Sequence, residues 1–365
     1  MASVASSLLY FLLVMSPIMA TRTTSYMPKT TIEGPVPVAP GLSYTYYQNT
    51  CPFVEYIVRD YLMGVFQRNI TEAAGLLRLH FHDCFVQGCD GSVLLDGSAS
   101  GPSEQDAPPN LTLRPSAFQI INDIRDIIQL YCYDQNNHPV VSCSDIVALA
   151  ARDSVFLAGG PYYSIPLGRK DSLNFATIND TLGNLPAPSS NTTTLLNALA
   201  QKNFTATDVV ALSGGHTIGI GHCTSFTDRL YPTQDPTMNQ TFADSLKNTC
   251  PVPNSNNTTV LDILTPNIFD NKYYLDLVNH KGLFTSDQDL YTDSRTRGIV
   301  TSFANNQTLF FEKFVEAMLK MGQLNVSTGN QGEIRLNCSA RNPTTTIHQW
   351  SIVDADKPQQ TLSQY

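Results

Sequence analysis

The sequence has few basic residues and no cluster of them. Of its 365 residues, 22 are Lys or Arg and 31 are Asp or Glu, which gives a formal net charge of −9. Proteins that bind nucleic acid usually carry a basic patch that neutralises phosphates. The composition therefore argues against a nucleic-acid partner.

Long hydrophobic runs are also scarce. The one clear run, Leu8 to Val14, is too short to span a bilayer, and no later stretch qualifies. Small residues ending at Ala20 follow the run, so residues 1–20 are predicted to be a cleaved secretory signal peptide. The residues before the run lack Lys and Arg, and an N-terminal anchor stays open as the alternative. Apart from such an anchor, no membrane partner is expected.

The chain has eight cysteines, so every cysteine can take part in a disulfide. An even number fits disulfide formation in an oxidising compartment. Many N-x-S/T glycosylation motifs agree with this. The chain is therefore predicted to be a secreted glycoprotein of the extracellular space or cell wall, with the vacuole as the alternative location. The sequence alone does not choose among the disulfide pairings.

Extended β signals and internal repeats are largely missing, whereas apolar residues at helical spacing are common. Helices are predicted over residues 54–70, 73–85, 117–131, 143–157, 193–202, 207–212, 271–279 and 295–321. The predicted class is mostly α with minor β. Residues 21–41 form a Thr- and Pro-rich arm, residues 42–339 the folded domain, and residues 340–365 a polar tail with the only tryptophan, Trp350.

The segment from Ala73 to Leu95, AAGLLRLHFHDCFVQGCDGSVLL, carries the first chemical signal. On the predicted helix Arg78 and His82 are four residues apart and share one face, with Phe81 beside them. An imidazole can move a proton near neutral pH, and a fixed cation can stabilise a developing anion. This combination suits heterolysis of a polar bond.

A second signal is His216, which the predicted helix from Asp208 would carry at its end. Gly214 and Gly215 precede it and would let something large and flat approach closely. His216 is thus a candidate axial ligand of a haem iron. A lone histidine of this kind is more often a hydrogen-bonded core residue, but the Arg78 and His82 pair favours the ligand interpretation.

Oxygen-bearing residues form two further clusters, and neither matches an EF-hand loop. One lies between Asp262 and Asp270 and the other between Asp83 and Ser92. Carboxylates, hydroxyls and loop carbonyls suit a hard cation such as calcium. Each cluster alone could also be a solvated acidic loop.

These segments, in this order, resemble the secreted plant class III haem peroxidases. The similarity runs from about Leu42 to Cys338 and includes YYQNTCP, LRLHFHDCFVQGCDGSVLL, SEQDAPPN, VSCSDIVALAARDSV, GGPYYSIPLGRKDS, DVVALSGGHTIG, TPNIFDNKYY and GLFTSDQDL. The resemblance implies a two-subdomain, all-helical fold with one haem b between distal and proximal halves, and two calcium ions.

The implied enzyme is a hydrogen-peroxide oxidoreductase. It would reduce peroxide to water and oxidise small phenolic donors in one-electron steps. The products would serve lignin, suberin and wall cross-linking, peroxide removal, or stress and defence responses. A monomer is the expected state.

The resemblance also assigns roles to single residues. His82 would be the distal base and Arg78 the distal cation. Phe81 would keep organic substrates away from the site of peroxide cleavage, and Asn110 would orient His82. His216 would ligate the iron and Asp287 would accept its other ring N–H. The carbonyl of Pro186 would help hold phenolic donors. The implied calcium ligands are Asp83, Val86, Gly88, Asp90 and Ser92 at the distal site, and Thr217, Asp262, Thr265, Ile268 and Asp270 at the proximal site. The implied disulfides are Cys51–Cys132, Cys84–Cys89, Cys143–Cys338 and Cys223–Cys250.

One departure concerns Asn110, which lies in the motif Asn110-Leu111-Thr112 and must stay unglycosylated to act. Two alternatives remain open from sequence. A zinc hydrolase could use His80, His82 and Asp83, although the two rings would point to different helix faces and no HExxH motif follows. A catalytically silent haem protein could keep the fold without the reaction.

Overall fold

The computed structural model describes residues 36–97, 103–136 and 138–343. The predicted signal peptide, nearly all of the N-terminal arm and nearly all of the C-terminal tail lie outside these residues. Within them, no helix is both long and apolar enough to cross a membrane.

The mostly α prediction is confirmed for the described part of the chain. Its twelve α-helices are α1 Val54–Arg68, α2 Glu72–Val86, α3 Pro115–Gln129, α4 Cys143–Leu157, α5 Ile178–Asn184, α6 Thr192–Ala200, α7 Ala206–Ser213, α8 Gln240–Thr249, α9 Lys272–Val278, α10 Thr285–Thr292, α11 Ser294–Asn305 and α12 Gln307–Met321. Two short strands, β1 Ile220–His222 and β2 Thr258–Val260, pair antiparallel.

The long helix predicted over residues 295–321 is wrong in one respect, because it is two helices. The backbone of Asn306 is extended, with φ −144° and ψ 94°. Its side chain accepts a hydrogen bond of 3.0 Å from the amide of Leu309 and so caps α12. The apolar pattern continues across the break, which is why periodicity alone joined the two helices.

The prediction that one helix carries His216 at its end is also wrong in detail. Helix α7 ends at Ser213, and His216 lies in the 3₁₀ turn Gly214–Thr217 that follows it. A Cβ atom on Gly214 would lie 2.3 Å from the hydroxyl of Tyr274, so only glycine fits there. The glycine thus lets this turn pack tightly against α9, which carries Tyr274.

The core has two parts. The larger cluster surrounds α2 and α4 and includes Leu79, Phe85, Leu149 and Phe314. The smaller one lies around the disulfide Cys223–Cys250. Helix α2 is therefore held rigidly on most of its circumference, which suits a helix that positions reactive side chains.

Four disulfides form, and they are the pairs that the resemblance implies. They are Cys51–Cys132, Cys84–Cys89, Cys143–Cys338 and Cys223–Cys250. The third links residues 195 positions apart, from the start of α4 to the end of the described chain. Such a link restricts the unfolded chain and stabilises the fold by about 2–4 kcal/mol.

The buried histidine His80 gives the fold a predictable pH dependence. Burial, and then the charge of Arg169, lower the pKa of His80 to about 3. As the pH falls below about 6.5, the unfolded chain binds a proton here and the folded chain does not, so stability falls. We expect His80 to lower the free energy of unfolding by about 2 kcal/mol between pH 7 and pH 5. Urea unfolding at both pH values should show that His80→Gln reduces the pH-dependent loss by this amount.

The matched control is His138→Gln, because His138 is exposed. This variant should show the same difference in free energy of unfolding between pH 7 and pH 5 as the native protein. An unchanged difference in His80→Gln as well would contradict a neutral, buried His80.

Candidate active site

Helix α2 carries the first group of predicted site residues. Its sequence is rich in Ala and Leu, which favour helix, and Glu72 lies in the favourable first turn. The chain then leaves the helix through Gly88, whose φ of 145° disfavours any other residue. Arg78 and His82 lie on one face of this helix, and the ring of Phe81 meets that of His82 edge to face at 5.6 Å.

A chain of hydrogen bonds fixes the tautomer of His82. The Nε–H of Arg78 points at Nε2 of His82 over 3.1 Å, and a guanidinium can only donate. Nε2 is therefore the unprotonated nitrogen, and Nδ1–H donates to Oδ1 of Asn110 over 2.6 Å. Nδ2 of Asn110 in turn donates to the carbonyl of Glu104 over 2.9 Å, which fixes the amide orientation. The basic nitrogen of His82 thus faces the guanidinium.

The charges of this pair are unequal. Burial, and then the charge of Arg78, lower the pKa of His82 to about 3, so its imidazole is neutral at pH 7. Burial lowers the pKa of Arg78 only to about 10, so the guanidinium stays charged. No salt bridge to Arg78 is found in the described residues. The site therefore offers a neutral base beside a positive charge that has no counter-ion.

The loop after Asn110 anchors the guanidinium, which the sequence did not predict. Nη2 of Arg78 donates to the carbonyl of Pro109 over 3.0 Å and to Oγ1 of Thr112 over 2.9 Å. Nη1 donates to the carbonyl of Thr112 over 2.9 Å. Both polar residues of the Asn110-Leu111-Thr112 motif are thus engaged. A glycan on Asn110 would break the bond from its buried Nδ2 to Glu104.

We expect Thr112→Val to weaken the reaction with hydrogen peroxide by removing one acceptor from Arg78. The bond lies at the surface, so the cost should be about 1 kcal/mol, or about fivefold in kcat/KM for peroxide. Thr112→Ser keeps the hydroxyl and should stay close to the native rate.

A double-mutant cycle tests whether Thr112 acts through Arg78. In an Arg78→Leu background, Thr112→Val should cause no further loss. An undiminished loss in that background would show that Thr112 acts by another route.

The second group of site residues surrounds His216. Nδ1 of His216 contacts Oδ1 of Asp287 at 2.7 Å, and the hydroxyl of Tyr273 donates to the same oxygen over 3.0 Å. The other oxygen, Oδ2, accepts from the amide of Phe284 over 2.9 Å, which also caps α10. Asp287 is therefore fully engaged and holds the imidazole with Nδ1 protonated. Nε2 of His216 makes no hydrogen bond in the described structure.

The geometry around His216 fits an axial ligand. The side chain is 40% exposed although the adjacent Thr217 is fully buried. The turn faces α2: a Cβ atom on Gly215 would lie 3.5 Å from Leu77, and one on Gly219 would lie 3.1 Å from Ala74. His82 and His216 therefore belong to facing elements. A neutral imidazole with an anionic partner on its other nitrogen is the donor that haem iron takes.

The distal oxygen cluster also fits the ion predicted for it. Oδ1 of Asp83 and Oγ of Ser92 are buried and have no hydrogen-bond partner in the described structure. Burial, and then the neighbouring Asp90, raise the pKa of Asp83 well above its usual range. Buried carboxylates with orphaned oxygens are costly unless a cation neutralises them. A calcium ion between these residues would do so.

The proximal oxygen cluster brings its five predicted residues together. The hydroxyl of Thr217 lies 2.9 Å from Oδ2 of Asp262, 3.5 Å from the carbonyl of Ile268 and 3.4 Å from Oδ1 of Asp270. The hydroxyl of Thr265 contacts both oxygens of Asp270, at 3.1 and 3.0 Å. This set of carboxylate, hydroxyl and carbonyl oxygens is of the kind that calcium prefers.

No group of three or more His, Cys, Asp or Glu side chains that could hold a metal is found among the described residues. Any cation bound here must therefore use hydroxyl and carbonyl oxygens as well. The two histidines of α2 also do not converge. Nδ1 of His80 contacts Sγ of Cys84 at 3.5 Å, whereas His82 contacts Arg78 and Asn110. This separation does not fit the zinc alternative.

Three positions that contact the predicted site residues were missed from the sequence: Thr112, Tyr273 and Glu104. The carbonyl of Glu104 orients Asn110, and its buried Oε1 has no partner near the distal cluster. Burial raises the pKa of Glu104 to about 7. The spacing of Glu104 and Asn110, six residues apart, was the available sequence signal for Glu104. Pro186 is half-buried in the loop after α5. The same loop reaches α10, where the amide of Ser286 donates to the carbonyl of Pro188 over 2.9 Å.

Comparison with known proteins places the chain beside one group of enzymes. Residues 58–306 match the family model described as Peroxidase. The chain is 63% identical over 306 residues to Peroxidase 12 of Arabidopsis thaliana, which covers 84% of each chain. It is 59% identical over 317 residues to cationic peroxidase SPC4 of Sorghum bicolor, covering 87% of this chain and 86% of the relative. Peroxidase 47 of Arabidopsis thaliana is 46% identical over 304 residues.

Proposed function

Because this chain belongs to the peroxidase family and is a haem peroxidase that uses hydrogen peroxide, we propose that Arg78, His82 and Asn110 carry out its peroxide chemistry. We propose further that His216 ligates the iron of one haem b and that Asp287 orients it. The observation that carries the proposal is the hydrogen-bond chain from Glu104 to Arg78, which leaves Nε2 of His82 as a neutral base beside a fixed cation.

The side chains of the distal site would act in sequence. Haem held by His216 would supply redox-active iron for the two-electron reduction of peroxide and the one-electron oxidation of donors. An O–H of peroxide replaces Nε–H of Arg78 as the donor to Nε2 of His82, and the proton moves to this nitrogen. His82 then gives the proton to the departing oxygen, which leaves as water. The guanidinium of Arg78 stabilises the negative charge that develops on that oxygen.

Asn110 keeps His82 competent throughout. While Oδ1 of Asn110 accepts from Nδ1–H, the proton of the imidazole stays on that nitrogen and the base faces the substrate. Phe81, which packs beside His82, would keep bulky organic molecules away from the site of cleavage. Small phenolic donors are the proposed reductants, held in part by the carbonyl of Pro186. Coupling of their radicals would serve wall cross-linking or peroxide removal.

A visible spectrum of the haem-loaded, calcium-containing protein tests the proposal. We expect one equivalent of hydrogen peroxide to shift the Soret band and a phenol to restore it. A Soret band that does not respond to peroxide would contradict the roles of Arg78 and His82 and favour a silent haem protein. A well-folded protein without a haem band would contradict the role of His216.

We propose calcium ions at both oxygen clusters, where they would brace the helix of His82 and the turn of His216. Metal analysis should give two calcium ions per chain. Asp83→Asn and Asp270→Asn should each reduce the count to one, and calcium at about 100 times its Kd should stabilise the native protein by about 2.7 kcal/mol per occupied site.

The control for these variants is Asp134→Asn, which removes an exposed carboxylate. It should retain both ions and the full thermal shift on adding calcium. Two retained ions in either cluster variant would rule out that cluster as a site.

The chain boundaries and location are part of the proposal. Residues 1–20 would be removed during secretion, residues 42–339 would form the peroxidase domain, and residues 21–41 and 340–365 would flank it. The mature protein would be a monomer of the extracellular space or wall, with the vacuole as alternative. N-terminal sequencing of protein recovered from the medium or from vacuoles would decide the cleavage site and location together.

A further inference from the structure

A group of strongly exposed rings and aliphatic side chains surrounds the Cys51–Cys132 disulfide. We call it the aromatic patch, and its members are Phe53, Tyr56, Leu130, Tyr131 and Tyr133. Their exposed fractions are 68%, 67%, 70%, 69% and 55%, respectively. Outside the patch, Leu111, at 67%, is the one large apolar side chain of the described ranges that is more exposed than Tyr133. Such a concentration is unusual on a monomer surface and points to a function.

The disulfide brings the two halves of the patch together. Cys51 lies two residues before Phe53, and Cys132 lies between Tyr131 and Tyr133. The Cα atoms of the two cysteines are 5.2 Å apart. The start of α1 and the end of α3 therefore present their exposed rings on one region of the surface, and this region is covalently fixed.

The phenols of the patch differ from those of Tyr47, Tyr61 and Tyr274, which are buried or partly buried. The hydroxyls of Tyr47, Tyr61 and Tyr274 donate to protein acceptors over 2.7, 2.5 and 2.8 Å. No hydrogen bond or ion pair in the described structure involves the hydroxyls of Tyr56, Tyr131 or Tyr133. These three tyrosines are more than half exposed and so are open to reagents from solution.

We propose that Tyr56, Tyr131 and Tyr133 form an oxidative coupling site, at which phenoxyl radicals released by this enzyme become covalently attached to it. The inference rests on the proposed function, because it needs phenolic donors. The expected ligand is a phenol without charged substituents, because Phe53 and Leu130 offer apolar contacts beside the reactive rings.

The coupling reaction needs no reagent other than hydrogen peroxide and the donor phenol. Peroxide turnover converts two donor phenols to phenoxyl radicals and yields two waters. One radical takes the hydroxyl hydrogen atom, a proton and an electron, from a patch tyrosine and becomes a phenol again. The tyrosyl radical then joins the second radical through a carbon–carbon bond beside the hydroxyl, and the ring hydrogen moves to oxygen. In sum, one peroxide, one tyrosine and one phenol give two waters and one adduct.

The consequence is that a polymeric phenol would hold the enzyme at its own product. The buried tyrosines are protected, because coupling requires access to the carbon beside the hydroxyl. Tyr46, at 39% exposed, is the natural comparison within the same molecule.

Peptide mass mapping after turnover tests the inference. The haem-loaded, calcium-containing full chain is treated with hydrogen peroxide and p-cresol. Mass spectrometry then locates the peptides whose mass has increased by one cresol minus two hydrogen atoms. We expect the adducts on Tyr56, Tyr131 and Tyr133 and little on Tyr46. The triple variant Tyr56→Phe, Tyr131→Phe, Tyr133→Phe keeps the rings and should lose most of the adduct while keeping haem absorbance and cresol turnover. Tyr46→Phe is the matched control and should change neither.

Three results would overturn the inference: adducts spread evenly over the chain, adducts unchanged in the triple variant, or dityrosine-linked copies in place of cresol adducts. If the enzyme does not oxidise cresol, the proposed donor class is wrong. In that case hexachloroiridate(IV), a chemical one-electron oxidant, can supply the phenoxyl radicals. Adducts on the patch would then support the site, and their absence would overturn it independently.

Discussion

Replacing His82 with alanine should lower kcat/KM for hydrogen peroxide by about 10²–10⁴-fold while leaving the haem absorption band largely intact. The expected loss is large because Nε2 of His82 is the proposed neutral base, which would accept the proton of peroxide and return it to the departing oxygen. Arg78 can stabilise charge but cannot accept a proton. The haem should remain because its proposed ligand, His216, lies on a different element. Stopped-flow measurement of the reaction with peroxide gives the rate, and the Soret absorbance gives the haem content.

A histidine two residues away on the same helix provides the control. His80 is buried against Cys84 and makes no contact with Arg78 or Asn110, so His80→Gln should retain most of the peroxide rate at neutral pH. If His80→Gln and His82→Ala lose the rate equally, the loss reflects damage to α2 and not the chemistry of one imidazole.

The sequence predicted the parts of this site that depend on local spacing. Arg78 and His82 share a face because they are one helical turn apart, and this holds wherever the helix is placed in the fold. Helix α4, predicted over residues 143–157, has the observed bounds Cys143–Leu157. It combines a serine cap at Ser142 with a continuous apolar sequence, so local and global preferences agree.

The contacts that hold the site depend on tertiary structure, and the sequence did not predict them. Thr112 reaches Arg78 only because the loop from Pro109 to Thr112, which is 31 to 34 residues from Arg78 in sequence, folds over α2. Tyr273 reaches Asp287 only because α9 packs beside α10. Neither of these two contacts leaves a periodic pattern in the sequence.

Short polar helices were missed for a related reason. Helices α5, α8 and α10 have seven to ten residues and few apolar ones, so periodicity is weak. Side-chain caps such as those of Thr177 and Asn239 begin α5 and α8. Helices of this length are marginal alone and form because they pack against the rest of the chain.

Replacing His216 with alanine should have the opposite effect to His82→Ala, because haem retention would fail. Nδ1 of His216 is committed to Asp287, so Nε2 is the only nitrogen free to bind iron. Without it the protein should elute from gel filtration with a strongly reduced ratio of Soret to 280 nm absorbance. Added imidazole should partly restore haem binding by occupying the vacant position. The buried carboxylate and the disulfides are untouched, so circular dichroism should still report a helical fold.

Two further variants separate ligation from general damage to the proximal side. Asp287→Asn keeps an acceptor for Nδ1 but removes the charge, and we expect about a 10–100-fold loss of peroxide activity with haem retained. His222→Ala removes a neighbouring histidine on β1 and should keep its haem. Equal haem loss in His82→Ala and His216→Ala would mean that the two histidines have been assigned to the wrong sides. Loss in His216→Ala alone, reversed by imidazole, would identify His216 as the single proximal ligand.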